Sequence, residues 1–297
     1  MGRPTPANFE ELAGRLASAD VEDGRPRVAG ARPGPPSTRW WPESNRTVSN
    51  SLECLALVWK GHRVRLVIFD LDNTLLDRAV PFQRWANGFV ARHALAPSEA
   101  QWLVDADGDG YVPRPRFLAA VRERYGLDET VADLLDSFRQ QIVALTEPDP
   151  RVPAILDRLR HEGWRVAIAT NGATAQQSAK IRRTGLDNHI DGLAISEEVG
   201  FAKPHRRMFQ VAAQRCGVRL KDGGPMDGGS MDGGSMDGWM VGDCPLRDVA
   251  GGQEVGLHTI WVRRGRVWDP SARAPDAVVD DVAQAVRVLL PGAAASG

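Results

Sequence analysis

The chain has 297 residues, 42 % hydrophobic and 25 % charged, with a formal net charge of −1. That balance suits one large or two modest globular domains, and it gives no electrostatic case for a nucleic-acid or membrane-surface partner. No apolar run nears the roughly 20 residues of a spanning helix. Three cysteines, Cys54, Cys216 and Cys244, form no even-numbered framework and no metal spacing. With no apolar leader at the start, they predict a cytoplasmic protein.

Residues 1–62 differ in texture from the rest. NFEELAGRLAS suits a short helix capped by Asn8, but GRPRVAGARPGPPSTRWWPESNR is too rich in Pro, Gly and Arg to bury a core. The expectation is a flexible N-terminal extension. From Arg65 the pattern changes. RLVIFDL is a β-branched and aromatic strand, and three helical periods follow without a strand: PFQRWANGFVARHAL, PRFLAAVRERYG and ETVADLLDSFRQQIVAL. So much helix after a first strand exceeds an ordinary crossover and predicts a helical cap over residues 78–147.

Beyond it, strands and helices alternate. Asp149–His161 is helical, RVAIATNG a strand, AQQSAKIRRTG a helix and DGLAIS a strand. PHRRMFQVAAQRCG is a helix, WMVGD and HTIWVRRG are strands, and PDAVVDDVAQAVRVLL closes with a short strand and a helix. Continuous apolar strands between helices predict an α/β fold: a Rossmann-like parallel sheet with helices on both faces, built from 63–77 and 148–290. Residues 222–238 carry a Met-Asp-Gly-Gly-Ser repeat with Met226, Met231 and Met236 in phase. So short a Gly-rich unit cannot stack a core, which predicts a loop insertion. Metal binding by Asp227, Asp232 and Asp237 is the minor alternative.

The chemistry concentrates at strand ends. Asp70 and Asp72 follow the first strand, Thr170 and Asn171 the second, Lys203 the third after a short loop, and Asp243 the fourth. Ligands gather beyond the carboxyl ends of parallel strands. Carboxylates, a hydroxyl and an ammonium at one sheet edge suit phosphoryl transfer, where charge must be neutralised from several sides.

In this order the residues resemble the haloacid dehalogenase superfamily of phosphohydrolases. The resemblance covers about 64–290, through Asp70-Leu71-Asp72-Asn73-Thr74, Thr170, Lys203-Pro204, and Gly242-Asp243 with Asp248. It implies that Asp70 is a nucleophile forming an aspartyl-phosphate, and that Asp72 is an acid and base whose pKa is raised by neighbouring acids. Thr170, Asn171, Lys203 and amides at the start of the next helix would bind the phosphoryl group. Magnesium would be held by Asp70, Asp243 and the main-chain carbonyl of Asp72, with Asp248 orienting Lys203 or a metal-bound water. The acid at Asp72 disfavours dehalogenation.

The implied activity is hydrolysis of a small phosphorylated metabolite, with no nucleic-acid or membrane partner. Phosphomutase or phosphotransferase activity with the same residues is the alternative, and a non-catalytic or calcium-sensing module a third. Asp105, Asp107, Asp109 and Gly110 imitate the start of an EF-hand loop, but position 12 is Arg116. A polar turn is expected instead. Cys244 reads as a packing residue rather than a redox thiol, His205 as a helix start and Asp77 as a turn former. Arg84, Arg92, Arg114, Arg116 and Arg122 form a mostly solvated basic face, with gripping of an anionic substrate as the alternative.

Overall fold

The computed structural model describes residues 64–220 and 236–291. The expected N-terminal extension and most of the repeat, with Asp227 and Asp232, lie outside the described residues.

Among the described residues, the strands are β1 (Val64–Phe69), β2 (Trp164–Thr170), β3 (Gly192–Ile195), β4 (Met236–Gly242), β5 (His258–Val262) and β6 (Ala277–Val279). They form one parallel sheet in the order β3-β2-β1-β4-β5-β6. The helices packed on this sheet are α5 (Arg151–His161), α6 (Thr174–Arg183), α7 (Ser196–Val199), α8 (Arg206–Arg215), α9 (Gly251–Glu254) and α10 (Val282–Leu289). Four more, α1 (Ala79–Arg92), α2 (Glu99–Asp107), α3 (Arg114–Tyr125) and α4 (Val131–Leu145), lie between β1 and α5 in sequence.

Alternation along β1 explains why both faces must be covered. Leu66 and Ile68 join Met208, Phe209 and Ala212 of α8 on one side. Val67 and Phe69 join Leu156 and Leu159 of α5 and Val286 of α10 on the other. A strand buried on both faces has no polar side to show, so its sequence is uniformly apolar. Each such fully buried side chain contributes roughly 1.5–3 kcal/mol.

The chain lays down β1, β2 and β3 outward, then returns to the far side of β1 for β4. The crevice between the carboxyl ends of β1 and β4 is therefore a topological switch point, where neighbouring connections diverge and leave room for a ligand. Asp70 N still donates to Val241 O at 2.9 Å, so the sheet is closed right up to that crevice.

One expectation is corrected. The repeat loop does not extend to 238: Met236, Asp237 and Gly238 pair in register with Val64, Arg65 and Leu66 of β1. Backbone hydrogen bonding to a central strand overrides the low strand propensity of Asp and Gly. Beyond β4, a π-helical turn, Pro245–Ala250, carries Asp248 and runs into the four-residue α9.

Helices α1 to α4 gather around Phe82, Trp85, Phe89, Phe117 and Phe138, apart from both sheet faces. Trp85 and Phe138 meet edge to face with centroids 4.8 Å apart, a geometry worth about 0.5–1.5 kcal/mol beyond area burial. Local signals set the helix ends. Thr130 and Asp133 form a reciprocal capping box at the start of α4, and Asp77 Oδ1 accepts from the amides of Ala79 and Val80 at the start of α1. Among the described residues no helix is long and apolar enough to cross a membrane.

Candidate active site

Asp70 sits at the switch point, buried, immediately after β1. The Lys203 ammonium donates to Asp70 Oδ1 at 2.6 Å and contacts Asp248 Oδ1 at 2.7 Å. Thr74 adds a long hydroxyl bond to Asp70 Oδ2 at 3.4 Å. Asp248 Oδ2 accepts from Cys244 N at 3.0 Å, so this acid both pairs with the lysine and holds the turn after β4. Gly242 makes that possible, because a Cβ there would lie 2.4 Å from the Asp248 carboxyl. Asp243 Oδ2 accepts from Arg266 at 3.0 Å, and its main-chain oxygen accepts from Trp261 Nε1 at 2.8 Å. One oxygen each of Asp70, Asp243 and Asp248 fall within 4.8 Å of one another.

Burial pushes the Asp70 carboxyl up to about 8; Lys203 opposes this, while Asp248 and Asp243 reinforce it. Burial and Asp248 push Asp243 up to about 6 against the pull of Arg266 and Arg264. Lys203 is raised: desolvation lowers it, but Asp248 and Asp70 more than offset that.

Asp72 departs from its expected character. Its side chain meets α6, where Lys180 Nζ reaches its two oxygens at 2.7 and 2.8 Å and Gln177 Nε2 donates to Oδ2 at 3.0 Å. Burial raises its pKa, yet Lys180, Gln177 and Arg78 outweigh burial and hold the carboxyl below its usual range. The expected rise assumed that acids were its nearest neighbours; a buried ammonium is nearer. Lys180 was missed because AQQSAKIRRTG, with three basic residues, reads as a solvated helix.

Thr170 is buried at the end of β2 and accepts from Gln177 Nε2 at 2.6 Å. Asn171 spends its side chain on Lys203, accepting from Lys203 N at 2.8 Å and donating to Lys203 O at 3.1 Å. It thereby braces the loop that carries the lysine. Two amides near the start of α6 are already used: Gly172 N donates to Ser196 Oγ and Thr174 N to Glu197 Oε2.

These residues open into a cavity of about 370 Å³ whose other wall comes from the α1–α4 segment. Arg78, Phe82, Tyr111, Arg114, Phe138 and Arg139 contribute there. The EF-hand-like stretch belongs to this wall. Asp107 is buried and accepts both Arg78 and Arg114, and Asp109 accepts from Asn73 at 3.4 Å and Arg264 at 3.2 Å. These carboxylates face guanidinium groups and do not converge on a common point. Of the five basic-face arginines, only Arg114 lines the cavity; Arg84 meets Glu147, Arg92 meets Gln141, and Arg122 bonds to Glu129 O.

Cys244 is buried, its Sγ accepting from the Tyr111 hydroxyl and from Arg247 N at 3.4 Å each, and burial raises its thiol pKa. His205 starts α8, its ring nitrogen accepting from Arg207 N at 3.2 Å.

Comparison with known proteins places this chain in a family. The profile described as haloacid dehalogenase-like hydrolase matches residues 64–256. A glyceraldehyde 3-phosphate phosphatase of Methanopyrus kandleri is 27 % identical over 241 residues, covering 76 % of this chain and 96 % of that one. A phosphoserine phosphatase of Thermus thermophilus is 30 % identical over 213 residues, covering 70 % of this chain and 78 % of that one. The magnesium-bound crystal structure of a Bacillus subtilis hydrolase of the same type superposes with a TM-score of 0.55 at 22 % identity, covering 77 % of this chain and 99 % of that one. The chain belongs to the haloacid dehalogenase-like hydrolases and is a hydrolase of phosphoric monoesters.

Proposed function

We propose that the protein is a magnesium-dependent phosphatase of a small metabolite, working through an aspartyl-phosphate on Asp70. The observation that carries this reading is the buried Asp70, ion-paired to Lys203 at the β1/β4 switch point and open to a cavity of small-metabolite size. An Asp70 oxygen attacks phosphorus as the ester oxygen leaves, and the departing alcohol takes up a proton. Water then attacks the same phosphorus, loses a proton and frees both phosphate and Asp70. Lys203 neutralises nucleophile and phosphoryl oxygens, and the Thr170 hydroxyl donates to one of those oxygens. Asp72, held ionised beside Lys180, takes the proton from water, and a proton drawn through it from solvent serves the next leaving alcohol.

The donor set fits magnesium. Asp70, Asp243 and Asp248 supply hard carboxylate oxygens close together. With the main-chain carbonyl of Asp72 they would hold the ion, which supplies positive charge to the nucleophile and phosphoryl oxygens. The helices α1 to α4 act as a cap that limits water during the first step. Two relatives act, by name, on three-carbon phosphates, which supports a substrate of that scale.

A metabolite-phosphate panel with magnesium tests the reading. Free phosphate from at least one small monoester is expected. Turnover only after adding a bisphosphate sugar would transfer the reading to a mutase, and no turnover on either would defeat it.

A pH-dependent metal effect follows from the same site. Unfolded Asp carboxyls titrate near about 4, whereas folded Asp70 and Asp243 keep protons up to about 8 and 6. Between those values the folded state binds more protons, so its stability falls as pH rises. A divalent cation relieves that penalty. Magnesium is expected to raise Tm more at pH 8 than at pH 5, measured by scanning calorimetry; equal shifts would contradict the assignment.

A further inference from the structure

The acid two residues after Asp70 is gripped by side chains that the proposed chemistry leaves unused. Lys180 is buried, with both Asp72 oxygens in reach of its ammonium. Gln177, also buried, sits three residues earlier on the same face of α6 and divides one amide nitrogen between Asp72 and Thr170. The orientation of that amide is not free. An ionised carboxylate only accepts hydrogen bonds, so the NH2 end must face Asp72. Thr170 therefore receives a bond from Gln177, and its own hydroxyl proton is left for another acceptor, such as an oxygen in the cavity it lines. Gly172 leaves room for this: at φ +150°, a Cβ would come within 3.0 Å of Gln177. The Lys180 ammonium is buried while Asp72 is a quarter exposed, and taking an ammonium out of water for one such partner is weak evidence of a purely stabilising role.

We propose that Lys180 and Gln177 are positioning residues for the hydrolysis: Lys180 fixes the direction of the Asp72 carboxylate, and Gln177 sets the Thr170 hydroxyl as a donor to the phosphoryl group. This rests on the reading of Asp70 as nucleophile and Asp72 as the proton-exchanging acid. Lys180 and Gln177 hold the two groups that act on the two ends of the breaking bond to one helix, so both keep a common geometry through the cycle.

The test is a mutant cycle on an aryl phosphate with magnesium, reading kcat and KM separately. Lys180→Met is expected to lower kcat about a hundredfold, the scale of a misplaced catalytic group, with KM little changed. In an Asp72→Asn background the same substitution should add less than about a twofold loss, because a residue acting through Asp72 has nothing left to position. Lys180→Arg should recover part of the rate. Gln177→Leu should raise the inhibition constant of inorganic phosphate severalfold, and no further once Thr170 is Ala. Equal losses from Lys180→Met in both backgrounds, or rate losses that only follow Tm, would overturn the proposal. If Lys180→Met does not fold, the arginine and Gln177 variants carry the same cycle. Wild-type protein inert on all monoesters, or Asp72→Asn as active as wild type, would instead defeat the underlying functional reading.

Discussion

Asp70→Asn is expected to lower phosphate release by on the order of 10⁴-fold or more, the scale of removing a covalent nucleophile. The amide keeps the shape of the carboxyl and accepts from Lys203 through its remaining oxygen. What it loses is the anionic oxygen: the remaining amide oxygen is neutral and too weak a nucleophile to bond to phosphorus. The fold should survive and, without metal, gain stability at pH 8. Asp70 there faces Asp243 and Asp248 in a buried pocket that already pushes its carboxyl up to about 8, so a neutral side chain removes repulsion. Rate assays with calorimetry check both halves. Residual activity within tenfold of wild type would remove Asp70 from the nucleophile's role, whatever happened to Tm.

The largest expected stability effect lies away from the chemistry, at Asp107. Its buried carboxylate accepts from Arg78 at 2.7 and 2.8 Å and from Arg114, and also from Gly110 N at 3.0 Å. Arg114 in turn lies over the ring of Phe138, 4.5 Å from its centroid. Asp107→Ala would leave the Arg78 and Arg114 guanidinium groups side by side with only the half-exposed Asp109 carboxylate, 3.6 Å from Arg78, to offset them, a loss of about 3–5 kcal/mol. For a unit of this size that lowers Tm by roughly 10 °C. Asp107→Asn keeps an acceptor and should lose about half as much. A change under about 1 kcal/mol for the alanine variant, the level of an exposed pair, would contradict this account. Because these acids are committed to arginines, calcium titration should show no binding tighter than millimolar.

The sheet was legible because most strands are apolar runs bounded by turn residues, and the strand-end placement of Asp70, Thr170 and Asp243 follows from that alternation alone. Lys203, by contrast, comes after β3 and the short α7. What escaped depends on neighbours distant in sequence. Lys180 lies 108 residues from Asp72, and nothing in its own helix marks it as buried. Arg266 on Asp243 comes from the loop after β5, where arginines read as solvated surface. The beginning of β4 was hidden because Met236-Asp237-Gly238 has the texture of the repeat before it, and only pairing with β1 makes it a strand. The acidic turn at 105–110 offered a metal-like pattern, and its true partners, Arg78, Arg114 and Arg264, lie on three other segments.

The most direct test of the central claim is chemical trapping of the covalent intermediate. Protein turning over an aryl phosphate with magnesium is quenched in acid, reduced with borohydride and mapped by peptide mass spectrometry. An acyl phosphate on an aspartate is reduced to homoserine, so the account predicts homoserine at position 70 and none in Asp70→Asn. Homoserine at a different aspartate, or steady phosphate release with Asp70 never modified, would contradict it.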